Sequence, residues 1–69
     1  MNQQEARLER VRENLRFWAE SVQVQAGVMV RLLESGEIPT GFRALEQAIE
    51  GYQLALEYAN AANNLSEAA

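Results

Sequence analysis

The sequence predicts an all-α fold: one two-helix antiparallel hairpin, coiled-coil-like in its packing, completed by a partner or by dimerisation. Three observations predict it. Two long stretches carry apolar residues at alternating three- and four-residue spacing. A short segment holding Gly36, Pro39 and Gly41 separates them. Every acidic residue is Glu and every basic residue is Arg, and both are good helix formers.

The first helix is expected over about residues 3–34. Leu8, Val11, Leu15, Trp18, Val22, Gln25, Met29 and Leu32 follow the 3-4 rhythm, and all but Gln25 are apolar. Asn2, with Glu5 three residues on, has the spacing of a capping box. At the other end, Gly36 can take the left-handed conformation that closes a helix, and Pro39 prevents its continuation. A helix of this length spans about 48 Å.

A turn over residues 35–40 leads to a second helix over about 41–64. Thr40 is a candidate N-cap, with Pro39 in the first turn as the other way to begin. Phe42, Leu45, Ile49, Tyr52, Leu56, Ala59 and Asn63 make the expected seam, with Ala48, Ala55 and Ala62 beside it as a stripe that permits close approach. Fraying is expected within residues 60–64, and a short tail beyond. A connection this short forces the helices antiparallel. Counting outward from the turn pairs Leu33 with Phe42, Met29 with Leu45, Val22 with Tyr52 and Trp18 with Leu56. Gly51 lies inside the helix, where glycine costs about 1 kcal/mol relative to alanine, so either a close contact or drift accounts for it.

One hairpin cannot cover all of the apolar surface. Phe17, Val24 and Val28 form a second strip beside the first seam, and Val30 also lies outside it. Ala19, Ala26 and Leu33 widen the opposite flank, while Leu54, Tyr58 and Leu65 form a smaller patch on the second helix. A helix that is apolar over most of its circumference is normally covered on several sides. Rotation of the first helix could hide the excess; otherwise Phe17, Val24 and Val28 are the candidate partner-binding strip, with Leu54 and Tyr58 as the alternative flank.

Composition narrows the function. The chain of 69 residues holds one domain, 1–69, and lacks both Cys and His, so neither disulfides nor a zinc site can staple it. Lys and Asp are absent too. The usual bases, nucleophiles and Schiff-base formers are therefore missing, and no catalytic residue, metal site or cofactor is expected. A net charge of −4 disfavours nucleic acid. Arg7, Arg10, Arg12 and Arg16 are the only basic cluster; Glu9–Arg12, Glu13–Arg16 and Arg16–Glu20 have ion-pair spacing that would neutralise it. The charged start has no secretory apolar core, and no apolar run is long enough to span a bilayer, so a cytoplasmic protein is expected.

The segment from Arg31 to Gln47 carries a resemblance. It runs from a basic-and-apolar helix end (Arg31-Leu32-Leu33) through Gly36 and Pro39 to Phe42 three residues later, then Leu45-Glu46-Gln47. In this and in its length, the chain resembles the small co-chaperones of type III secretion needle subunits, the YscE/PscE-like helical hairpins. Thr40-Gly41 departs from the more polar, helix-favouring pair expected after that proline. The resemblance implies a co-chaperone that binds and stabilises a tetratricopeptide-like chaperone, which in turn holds a needle subunit. The competing expectation is a homodimeric four-helix bundle acting as a regulator or inhibitor of phage type.

Overall fold

The computed structural model describes the backbone of residues 3–68 and the side chains of residues 3–63. Helix α1 spans Gln3–Glu34 and helix α2 spans Arg43–Ala68, and the two pack against each other as a hairpin. The all-α hairpin expected from the sequence is the fold. Asn2, the proposed capping residue of α1, lies outside the described residues.

The end of α1 follows from Gly36. Its φ of 91° turns the chain out of the helix. The Glu37 N–H then reaches back to the Leu32 carbonyl at 3.0 Å, and the Gly36 N–H to the Leu33 carbonyl at 3.1 Å. This pair of bonds is a Schellman closure, which satisfies carbonyls that the helix end would otherwise leave bare. The Ser35 hydroxyl also donates to the Leu32 carbonyl, at 2.9 Å.

The start of α2 differs from expectation. Thr40 is not the N-cap and Pro39 is not in the first turn. Gly41, with φ at 65°, still lies outside the helical region, so the helix cannot begin before it. Phe42 is the half-in residue: its carbonyl accepts the Glu46 N–H at 3.2 Å, and Arg43 is the first helical residue. At the far end α2 continues to Ala68 rather than fraying near 64. Asparagine is only moderately worse than alanine in a helix, and neither Gly nor Pro follows Gly51 to stop it.

The seam of α2 is also rotated from the expected one. Among the described residues only Ala48 and Ala55 are buried, each 2 % exposed, whereas Ile49 and Leu56 are 39 % exposed. The inward line therefore runs Leu45, Ala48, Tyr52, Ala55, Ala59, Ala62, still at 3-4 spacing. The reason is Trp18. Its ring lies on Gly51, so close that a Cβ at that position would meet three ring carbons at under 3.0 Å. Trp18 thus packs on Gly51, five residues nearer the turn than Leu56. The ring fits because Ala48, Gly51 and Ala55 form a shallow channel on α2.

The result is thin and long. The hairpin measures 52 × 19 × 14 Å, so it is little more than one helix thick. Its radius of gyration is 16.0 Å, against about 11 Å for a compact chain of this length. Its accessible surface is 5603 Å², against about 4,400 Å² for a compact monomer of its mass.

Candidate functional site

The site begins with a helical stripe beside the seam of α1. Arg7, Arg10, Asn14, Phe17, Ser21, Val24 and Val28 recur at 3-4 spacing and so share one flank of α1. Gly51, Leu54, Tyr58 and Ala61 do the same on α2. Arg7, Arg10, Val11 and Asn14 line one open groove, of about 550 Å³, together with Tyr58, Ala61 and Ala62. The two flanks therefore meet on the same broad side of the hairpin. Strips that the sequence offers as alternatives are two edges of a single face.

Four large side chains stand out on that face. Phe17 is 61 % exposed, Val24 60 %, Leu54 53 % and Tyr58 62 %. Val28, expected to complete the strip, is half-buried and contributes only an edge. Leu65 lies outside the described side chains. Phe17 is braced from behind: its ring meets that of Trp18 edge to face, with centroids 5.1 Å apart and planes at 81°. The seam and the exposed face are thus mechanically linked through adjacent aromatic residues. Shallow hollows lie beside Phe17 and Val24, where Glu20, Ser21 and Gln25 share the lining, and around Leu54 and Tyr58, where Glu57 and Ala61 do. Gln25 is half-buried and opens onto the first hollow, which makes its seam position a wet edge.

The opposite broad side is also apolar. Val30, Leu33, Ile49 and Leu56 are exposed there. The sequence places Leu33 on this flank but puts Ile49 and Leu56 in the seam, and so misses the α2 half of the second face. The signal was available in the alanine stripe, since small residues on one line of a helix draw that line toward its neighbour.

The basic cluster divides in two. Arg12 pairs with Glu9 at 3.3 Å and Arg16 with Glu20 at 3.0 Å, all on exposed surface. Arg16 chooses Glu20 and leaves Glu13, the other partner of suitable spacing. Arg7 and Arg10 line the groove and make no ion pair among the described residues. No three acidic side chains among the described residues are placed to hold a metal ion. Among these residues, no helix is long and apolar enough to cross a membrane.

No family model, curated protein or solved structure matches this chain. The resemblance to needle co-chaperones therefore stands on the turn residues, the length and the hairpin architecture alone.

Proposed function

We propose that this chain is a non-catalytic, protein-binding hairpin that acts as a co-chaperone. It stabilises a tetratricopeptide-like chaperone that holds a type III secretion needle subunit. The observation that carries the protein-binding part is the face formed by Phe17, Val24, Leu54 and Tyr58, all more than half exposed on one side of a hairpin whose only buried residues among those described are two alanines. Water-facing side chains of this size each contribute about 1.5–3 kcal/mol when a partner covers them fully. An isolated hairpin leaves that stabilisation unused.

The second face supports one kind of partner over another. Exposed Val30, Leu33, Ile49 and Leu56 lie on the other broad side. A homodimeric four-helix bundle would cover one side of each hairpin and leave the other wet. A concave helical-repeat surface can grip both sides at once. This favours the chaperone partner that the turn resemblance implies, and a cytoplasmic setting follows from that role.

The test is an affinity pull-down of the tagged chain from its native host, read by mass spectrometry, beside Val24→Glu and Leu54→Glu variants. A helical-repeat protein recovered with the native chain and lost with both variants, at unchanged helicity, is the expected result. Recovery of nothing but further copies of the chain would overturn the co-chaperone reading and leave the homodimeric regulator or inhibitor.

A further inference from the structure

The groove at the open end of the hairpin differs chemically from the rest of the face. Its apolar lining comes from Val11, Tyr58, Ala61 and Ala62. Its α1 wall carries Arg7 and Arg10, one helical turn apart and without an ion pair among the described residues. The neighbouring arginines, Arg12 and Arg16, are neutralised by Glu9 and Glu20 on the outer surface. Of the four arginines in this part of α1, the pair beside the groove makes no ion pair among the described residues.

The rest of the hairpin is acidic, whereas residues 3–30 balance four arginines against four glutamates. From Arg31 to Asn63, Arg31 and Arg43 stand against Glu34, Glu37, Glu46, Glu50 and Glu57. The turn end and α2 therefore repel carboxylates, while the open end has two guanidinium groups to receive them. Such an arrangement orients an incoming charged segment and raises its encounter rate.

We infer that the Arg7/Arg10 groove seats the carboxylate-bearing end of an amphipathic helix from another protein, whose apolar stripe continues along Phe17, Val24, Leu54 and Tyr58. The inference rests on the reading of this face as a docking surface and names the chemistry of what docks. A helix laid between two antiparallel helices completes a three-helix layer, the common helix-in-groove mode. Arginine suits the task because its planar fork binds a carboxylate through two hydrogen bonds. A second copy of this chain fits less well. Stacked with its open end on this one, it would bring Arg7 and Arg10 against their own counterparts. Stacked the other way, it would bring Arg31, on the continuation of the Val24/Val28 stripe, to the same place, with the turn-end carboxylates of Glu34 and Glu37 beyond it, so a dimer of the chain is one outcome of the test.

The experiment uses three labelled synthetic peptides and fluorescence anisotropy with the full chain. Each peptide is an amphipathic helix with a leucine stripe at heptad spacing. They differ only at two positions flanking one end of the stripe, which hold glutamate, glutamine or lysine. The glutamate peptide is expected to bind about tenfold tighter than the glutamine peptide, with lysine weakest, and its advantage should fade with added salt. The Arg7→Glu/Arg10→Glu double variant should invert the order, and Arg7→Gln/Arg10→Gln should erase it. Circular dichroism should show unchanged helicity in both.

Three peptides bound alike would overturn the inference, yet a Val24→Glu variant that still lost them would leave the docking face intact. No binding by any peptide, with host partner recovery indifferent to Val24→Glu, would remove both. A stable dimer of the chain alone, tightened by Arg10→Glu, would overturn the inference in favour of a second copy.

Discussion

The inner seam and the outer face of this hairpin draw different side chains from α2. Where the helices touch, α2 offers Ala48, Gly51 and Ala55, and Trp18 of α1 fills the channel they leave. On the outer face, Phe17, Val24, Leu54 and Tyr58 stand in water. In a self-sufficient domain, the large groups would face inward, because burial scales with apolar area. Here small residues of α2 set the distance between the helices, half-buried Leu15, Trp18 and Val22 of α1 face them, and other large groups stay in water. The seam therefore sets the shape of the hairpin, and a large apolar area remains in water beside it.

The seam should break first. Ala55→Glu places a charge at a position that is 2 % exposed. Loss of the cooperative thermal transition by circular dichroism is expected, since burying a charge costs several kcal/mol. A variant as stable as the native chain would show that the helices can roll apart and that the seam is not fixed.

Gly51→Ala comes next and tests the seam directly. On a free helix it would stabilise by about 1 kcal/mol. Here the new methyl meets the Trp18 ring, and overpacking of that kind costs about 1–3 kcal/mol. A net fall in melting temperature is expected, with recovery when Trp18→Leu is added. A rise in melting temperature would mean that Trp18 has somewhere else to go.

Gly36→Ala forces a side chain into a backbone with φ at 91°, at a cost of about 1 kcal/mol. Urea denaturation should show the midpoint lowered without a change in slope. Val24→Glu belongs at the quiet end for stability, within about 0.5 kcal/mol of native. The same variant should lose partner recovery altogether, which makes it the sharpest contrast with Ala55→Glu. Smallest of all, Arg12→Ala removes an exposed i,i+3 pair worth about 0.3–0.5 kcal/mol. A larger loss in thermal stability would mean that the charged surface contributes more than the seam comparison allows.

Much of the fold was legible because helix signals are local. The rhythm from Leu8 to Leu32 and the Gly36 stop depend only on neighbours in the chain, and α1 ends where the sequence says. The start of α2 was less legible because Gly41 was read as part of the helix, and its positive φ emerges only once the turn must direct α2 back along α1. The candidate site was legible as a set of residues but not as an arrangement. Phe17, Val24, Leu54 and Tyr58 were identifiable as apolar side chains without a place in the seam. That they share one side depends on the rotation of both helices together. Val28 illustrates the difference: it keeps its place in the stripe, yet the approach of the helices half-covers it.

By itself, the sequence determined the two helices, their antiparallel return and the excess of apolar surface, because hydrogen bonding within a helix and its 3.6-residue period refer to nothing beyond the chain segment itself. Only the tertiary structure decided which line of α2 faces inward. Two lines at the same spacing, one through Ile49 and Leu56 and one through Ala48 and Ala55, satisfy the period equally. The choice fell to the bulk of Trp18, which needs the space that Gly51 leaves empty.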